Sequence, residues 1–296
     1  MQGATAHPAT GWMKPAPFAY HDPRTVAEVL SLLGRLEDPR LLAGGQSLMP
    51  MLNLRLVQPP NIIDLNRVEE LSYIRLNGEI LEIGAMARQR DIEYSDVVRQ
   101  AFPLMYEAVR YIGHRQTRNR GTIGGSLCQL DPSAELVSVA AAAGATVIVA
   151  SQSGRREIPF AEFPAGLMTP AIEANEMLIA IRFPLWKAGH GHGFEEYARR
   201  HGDFALASAA ALLESDGHRI TRARITVGGI APQPQILAVT LEGRSPSEAV
   251  FDEAAESCGA LEAMDDTNFT GEYRRHIAKA MVKRALRKAY GRISKH

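Results

Sequence analysis

Residues 41–48 read LLAGGQSL and residues 121–127 read GTIGGSL, and the pairing of these two stretches decides the fold. In the first, Arg40-Leu41-Leu42-Ala43 is a short apolar strand that Gly44-Gly45 interrupts. Ser47 then stands where it could cap a helix over Leu48 to Leu56, with Pro50 tolerated in the first turn. Strand, glycine pair and helix together make a phosphate-binding shape. Glycine lets the backbone approach an anion with no Cβ in the way, and it reaches positive φ without strain. The amides of Gln46, Ser47 and Leu48 would be unpaired donors at a helix start. The second stretch, Thr122-Ile123-Gly124-Gly125-Ser126, sets a hydroxyl on each side of another glycine pair about 80 residues later. Two such stretches suit a diphosphate gripped from both sides. Glycine pairs also make plain tight turns, so neither stretch decides alone.

Outward from this pair, the chain alternates short strands and helices. Thr25 is an N-cap for a helix over Val26 to Leu36, with Val26, Val29, Leu30 and Leu33 on one face. Ile62 to Leu65 is a strand, and Asn77-Gly78 turns a hairpin between Leu71–Leu76 and Ile80–Ala85. Asp91 to Tyr111 is helical in pattern with a break near Pro103. The polar, glycine-rich run from Arg115 to Gly125 reads as loop. Ser133 is placed to cap a helix over Ala134 to Ala143, ended by Gly144, and strands follow at Ala145–Ala150 and Met177–Phe183. Residues 187–193, KAGHGHG, are the most linker-like of the chain. Beyond them come strands at Phe194–Tyr197, Ala205–Leu213 and Ile220–Gly229, then two helices. The last, Gly271 to Tyr290, carries Ile277, Met281, Ala285 and Ala289 on one stripe. The expected organisation is a leader or disordered extension at 1–12, a first domain at 13–186, a linker at 187–193 and a second domain at 194–296. The class is α+β. A parallel nicotinamide-type sheet is not supported, because no third glycine follows Gly44-Gly45 before its helix.

Composition narrows the function. The chain has 296 residues, with 33 Lys+Arg against 33 Asp+Glu and so a formal net charge of zero. That balance argues against a nucleic-acid binder, which needs a basic face. Leu136 to Ala150 is apolar but interrupted by Ser138, Gly144 and Thr146, so no membrane span is expected. Two distant cysteines, Cys128 and Cys258, neither clip a zinc nor ligate an iron–sulfur cluster. They fit a reducing, cytoplasmic setting. No Ser/His/Asp or activated-Cys arrangement is visible, so no catalytic residue is assigned.

The strings 41–66, LLAGGQSLMPMLNLRLVQPPNIIDLN, 112–136, IGHRQTRNRGTIGGSLCQLDPSAEL, and 199–213, RRHGDFALASAAALL, resemble the FAD-binding medium subunit of molybdenum hydroxylases. This is the carbon monoxide dehydrogenase and xanthine dehydrogenase family, and MKPAPFAYHDPRTVAEVLSLL at 13–33 is similar to its beginning. The resemblance implies a vanillyl-alcohol-oxidase (PCMH)-type FAD-binding domain in two α/β subdomains. A small C-terminal domain of sheet plus helices, of the CO dehydrogenase flavoprotein type, would follow. It puts the FAD diphosphate between Leu42, Ala43, Gly44, Gly45, Gln46, Ser47 and Leu48 on one side and Thr122, Gly124, Gly125 and Ser126 on the other. Glu135, with Asp131 as second candidate, matches the acid that receives ribose or adenosine hydroxyls. The plainer role for both acids is to favour the positive end of the helix that follows. Asp203 and Phe204 match the family's acid and aromatic near the isoalloxazine, where a tyrosine is common. A core phenylalanine at a strand start is the alternative.

The same resemblance implies partners: a small subunit with two [2Fe–2S] clusters and a large subunit with the molybdopterin cofactor, assembled as a dimer of heterotrimers. This chain would be the electron-transfer subunit, taking electrons from the clusters into FAD and giving them to an external acceptor. Two rival readings stay open. One is a self-contained flavin oxidase or reductase of the vanillyl-alcohol-oxidase fold. The other is a non-enzymatic nucleotide-binding assembly module. His190 and His192 form an HxH pair without a third ligand, better explained as polar linker than as metal site. Cys128, close to Ser126, reads as a small buried hydrophobe rather than a covalent flavin link. His114, Arg115, Arg118 and Arg120 either neutralise a diphosphate, face a redox partner, or form a solvated loop. From Tyr273 to His296 there are nine Lys/Arg and no acid, a docking face or simply a solvated one.

Overall fold

Three buried apolar clusters make up the core. The computed structural model describes residues 14–293, so the stretch read as a leader or extension, 1–12, lies outside the described residues. The first subdomain runs β1 (Ala19–His21), α1 (Val26–Arg35), β2 (Pro39–Leu42), α2 (Leu48–Asn53) and β3 (Asn61–Asp64). The Thr25 hydroxyl caps α1 by accepting from the Glu28 amide at 3.2 Å, and Val29, Leu30, Leu32 and Leu33 are buried beneath it. The three strands are parallel in the order β1-β3-β2, with α1 as the crossover from β1 to β2.

The second subdomain begins with the hairpin β4 (Ile74–Asn77) and β5 (Ile80–Gly84), which forms where the sequence predicts it, although Asn77 pairs with Ile80 and the turn itself is Gly78-Glu79. Helices α3 (Gln89–Glu93), α4 (Asp96–Ala101), α5 (Pro103–Ala108), α6 (Arg115–Arg120), α7 (Ile123–Gln129) and α8 (Glu135–Ala143) follow. Strands β6 (Thr146–Ser151), β7 (Gly154–Pro159), β8 (Pro164–Gly166), β9 (Thr169–Pro170) and β10 (Met177–Pro184) complete it. The main sheet is antiparallel in the order β4-β5-β10-β6-β7. The expected break at Pro103 is present: Pro103 opens α5, where a missing N–H costs nothing.

The third unit holds β11 (Gly191–Tyr197), β12 (Ala207–Ser215), β13 (Ile220–Gly228), β14 (Gln235–Ile236), α9 (Glu248–Glu256) and α10 (Gly271–Gly291). Its sheet, ordered β11-β12-β13-β14, buries Ala207, Ala209, Ala211 and Leu213 against α9 and α10. The opposite face puts Phe194, Ala210 and Leu212 into the core of the second subdomain. A strand covered on both faces reads as a continuous apolar run, which is why ASAAALL does not alternate. Helix α8 lies between the two larger sheets, and all nine of its residues are buried. Each fully buried Leu or Phe in these layers contributes roughly 1.5–3 kcal/mol.

Four local expectations are corrected. The run 115–125 is not all loop: α6 takes 115–120 and α7 starts at Ile123, where burial of Ile123 and Leu127 outweighs the weak helix propensity of two glycines. Ser133 does not cap α8; its hydroxyl donates to the Ala205 carbonyl at 2.9 Å, and Ala134 holds the cap position. The 187–193 segment is drawn into the sheet from Gly191, since bare glycines let β11 lie flat on α10. A Cβ on Gly193 would come 3.1 Å from the Ala285 carbonyl carbon. His190 and His192 are therefore half-buried, and burial holds the His192 imidazole down at about 4. Finally, the basic last helix is largely paired within the chain. Lys279 meets Glu256, Lys283 meets Asp252, and Arg287 meets Glu248. Lys288 and Arg292 both reach Glu107 on α5, which ties the third unit to the second.

Candidate functional site

The two glycine stretches meet. A Cβ on Gly44 would come 2.8 Å from the Arg120 carbonyl carbon and 2.9 Å from the Gly121 Cα, so only glycine permits this approach. A Cβ on Gly125 would lie 3.7 Å from the Ala43 Cβ. Residues 43–45 and 120–125 thus line one seam between the first and second subdomains.

Their polar groups differ. The amides of Gly44, Gly45, Gln46 and Ser47 have no acceptor among the described residues, and Gln46 and Ser47 are exposed. Gly45 adopts φ +73°, a backbone conformation that glycine reaches without strain. The Ser47 hydroxyl does not cap α2 as expected and makes no bond there. Both it and the amides are free to meet an anion. In the second stretch the amides are committed: Ile123 to the Ala87 carbonyl, Gly124 to Ala85, Gly125 to the Thr122 hydroxyl at 3.0 Å, and Ser126 to the Thr122 carbonyl. Gly124 is the residue that fits against the Ala85 backbone. The second stretch is a rigid wall and the first is a donor array.

Residues outside the motifs hold the seam in place. Asn66 Nδ2 donates to the Ala43 carbonyl at 3.0 Å and to Asp64 Oδ1. Tyr20 donates to Asp64 Oδ2 at 2.6 Å. Arg88, just past β5, donates to the Arg120 carbonyl and to Asn66 Oδ1. Neither Asn66 nor Arg88 carries a local sequence signal for this role.

The acids and aromatics fall elsewhere. Asp131 accepts from the Ser133 amide at 2.9 Å and shapes the turn before α8. Glu135, in the first turn of α8, is buried and hydrogen-bonds to Glu196 of β11. Burial pushes Glu135 up to about 7, with the Asp131 charge adding to it and the hydrogen bond from Glu196 opposing it. Burial and then the Glu135 charge push Glu196 up to about 9, so the pair holds a proton at neutral pH. Glu196 was not anticipated from the sequence. Phe204 is not a core residue: 74 % of it is exposed. With Asp203, Ser133, Arg199 and Phe269 it lines a cleft of about 490 Å³. That loop turns at Gly202, which packs on the His114 ring. His114 opens α6, and Arg120 ends it on Gly44. At 1.5 Å per residue, α6 is roughly 9 Å long, with the Gly202 turn against its start and Gly44 against its end. Arg118 of the basic cluster is not solvated: Glu93 pairs with it at 2.8 Å. Cys128 and Cys258 are free, and burial drives both thiols up to about 12, which keeps them unreactive.

A parallel lobe, an antiparallel lobe and a glycine seam between them define a dinucleotide-binding flavoprotein, and comparison with known proteins agrees. Residues 16–186 match the family described as "FAD binding domain in molybdopterin dehydrogenase" and residues 192–289 match "CO dehydrogenase flavoprotein C-terminal domain". The chain is 36 % identical over 287 residues to the caffeine dehydrogenase subunit beta of Pseudomonas sp. (strain CBB1), covering 95 % of this chain and 97 % of that one. It superposes on a carbon monoxide dehydrogenase chain from Hydrogenophaga pseudoflava with a TM-score of 0.92 at 36 % identity, over 95 % and 100 % of the two chains. For quinoline 2-oxidoreductase from Pseudomonas putida 86 the TM-score is 0.91 at 34 % identity, with the same coverage. The chain belongs to the family of FAD-binding medium subunits of molybdenum hydroxylases, and is a flavoprotein component of an oxidoreductase. No helix among the described residues is long and apolar enough to cross a membrane.

Proposed function

We propose that this chain transfers electrons within a three-subunit molybdenum hydroxylase. FAD bound here would accept electrons from [2Fe–2S] clusters in a small iron–sulfur subunit, fed by a molybdopterin centre in a large subunit, and pass them to an external acceptor. The observation that carries this reading is the seam, where the stretch with four free amides, 44–47, packs at Gly44 against residues 120–121. Such a site binds a diphosphate by position and dipole, without a proton-transfer group. On this reading Leu42, Ala43 and Leu48 flank the donors, and Thr122, Gly124, Gly125 and Ser126 set the wall's shape. Asp203 and Phe204 present a carboxylate and an aromatic face at the far end of α6. Glu135 keeps its proposed contact with ribose or adenosine hydroxyls only through whatever oxygen Glu196 leaves free. FAD binding is assigned to 13–186, joined by the short stretch before Gly191 to the unit that β11 begins.

The assembly would be a dimer of heterotrimers. Cytoplasmic location is part of the proposal and is supported by two unpaired cysteines. Purification from the native host tests the whole reading. Co-purification of a cysteine-rich chain and a large molybdenum-containing chain, with one FAD per copy of this chain, is the expected result. A flavin-free complex, or turnover of a small alcohol by the isolated chain, would overturn it.

A further inference from the structure

Arg88 and Arg120 stand together at the glycine seam in an unusual charge arrangement. Arg88 donates from Nη2 to Asn66 Oδ1, and Arg120 Nη2 approaches the same oxygen at 3.4 Å. Two guanidiniums therefore converge on one neutral acceptor. The second bond of Arg88, from Nη1, goes to the Arg120 backbone carbonyl, which is also neutral. Neither side chain forms an ion pair with a carboxylate among the described residues. Asp64 and Asp91 act on Arg88 only through space. Other arginines of the same subdomain are handled differently: Arg118 is paired with Glu93 at 2.8 Å and Arg182 with Glu82 at 2.6 Å. Half-burial and the neighbouring Arg120 both weaken the hold of Arg88 on its charge.

Like charges side by side in a half-desolvated place repel, and an anion between them reverses the sign of the energy. Location says which anion. The Arg120 carbonyl touches Gly44, and Asn66 holds the Ala43 carbonyl, so both guanidiniums border the stretch with the free amides. Each arginine has five N–H donors, and the bonds above use only some of them. Planar guanidinium forks match phosphate oxygens in pairs.

We propose that Arg88 and Arg120 form a twin cationic arm that supplies the charge for the dinucleotide's diphosphate, while residues 44–47 supply its neutral donors. The proposal deepens the FAD-binding reading above and rests on it. Arg88 has a second role as a strut, because its two bonds tie Asn66, and through it Ala43, to the Arg120 carbonyl.

Isothermal titration of the flavin-stripped full chain tests it with three probes: FAD, inorganic pyrophosphate and riboflavin, which lacks phosphate. Arg120→Gln is the clean variant, since its side chain is exposed and its one bond is long. It should weaken FAD and pyrophosphate about tenfold, flatten the dependence of FAD affinity on salt, and leave riboflavin unchanged. Arg88→Lys should keep the salt dependence, and Arg88→Gln should lose it; thermal melting of each variant reports the strut separately. Wild-type FAD affinity and salt dependence in Arg120→Gln, or an equal loss for riboflavin, would overturn the arm while leaving FAD binding intact. If the wild-type chain takes up no FAD yet binds pyrophosphate in an Arg120-dependent way, the arm stands and the flavin reading falls. Binding of neither ligand sinks both.

Discussion

The stretches AGGQS at 43–47 and TIGGS at 122–126 have nearly the same spelling and different physics. In the first, the glycines keep the backbone out of a helix and leave four consecutive amides without acceptors. In the second, the glycines sit inside α7, where every amide from Ile123 to Ser126 already has a partner. Gly44 is glycine so that the chain can press on the Arg120 carbonyl, and Gly124 so that α7 can press on Ala85. The first stretch therefore leaves its donors open, and the second commits its own to the fold. A glycine pair marks a close approach; only the fate of its amides tells whether the visitor is a ligand or the protein itself.

The largest expected effect separates Gly44 from Gly124. Gly44→Ala should push the donor stretch off the Arg120 carbonyl and weaken FAD about a hundredfold, with an overpacking cost of about 1–3 kcal/mol. Gly124→Ala should carry a similar stability cost, because its Cβ would sit 2.8 Å from the Ala85 Cβ. The fraction that folds should still bind FAD within a few-fold of wild type. Urea unfolding and FAD titration of the folded fraction give both numbers. Equal losses of affinity would erase the distinction.

Ser47 and Thr122 make the next contrast. The Ser47 hydroxyl is unbonded and exposed, so Ser47→Ala should leave the flavin-free melting temperature unchanged and weaken FAD about tenfold, as for a hydrogen bond to a charged group. The Thr122 hydroxyl is buried and caps α7, so Thr122→Ala should cost about 0.5–2 kcal/mol of stability first, with affinity following only through the fold. A crossed result, stability lost at Ser47 and affinity lost at Thr122, would invert the assignment.

How much of this was legible in the sequence follows from how local each signal is. The glycine pairs, the Thr25 cap, the hairpin around Asn77-Gly78 and the apolar stripe of α10 are each encoded within a few residues, and all are in place. The helix that starts at Ile123, inside the run 115–125 read as loop, was not legible, because tertiary burial of Ile123 and Leu127 decides it against local propensity. The strut was not legible either, since Arg88 and Asn66 are 22 residues apart and either alone is an ordinary surface residue. Glu135 was singled out, but its partner Glu196 lies on β11 of the third unit's sheet, and only the packing of α8 on that sheet brings them together. Phe204 had two readings, and its exposure removes the core one.

That acid pair yields a smaller prediction, one step downstream of the second stretch. Both carboxyls have folded values raised above their ordinary range, so the folded state holds more protons than the unfolded one between about pH 4.5 and about pH 9. By linkage, stability then falls as pH rises across that window. The melting temperature of the wild type should decline from pH 5 to pH 9, and Glu196→Gln should flatten the decline, since an amide stays neutral and can still donate to Glu135. An unchanged slope in Glu196→Gln would show that other groups set the pH dependence.

The smallest effect is expected at Gly125, and it is the sharpest test of the wall. Alanine inside a helix gains up to about 1 kcal/mol over glycine. Against this, the new Cβ would stand 2.9 Å from the Thr122 hydroxyl oxygen, which must move by a few tenths of an ångström without losing the cap. Its 3.7 Å approach to the Ala43 Cβ is ordinary contact that fills the seam rather than wedging it open. These terms nearly cancel, so Gly125→Ala should change stability by less than about 1 kcal/mol and FAD affinity by less than about threefold. If instead the variant folds normally and loses FAD, the ligand must lie on the bare Cα of Gly125. The second stretch would then be a cradle of the same kind as the first, despite its committed amides.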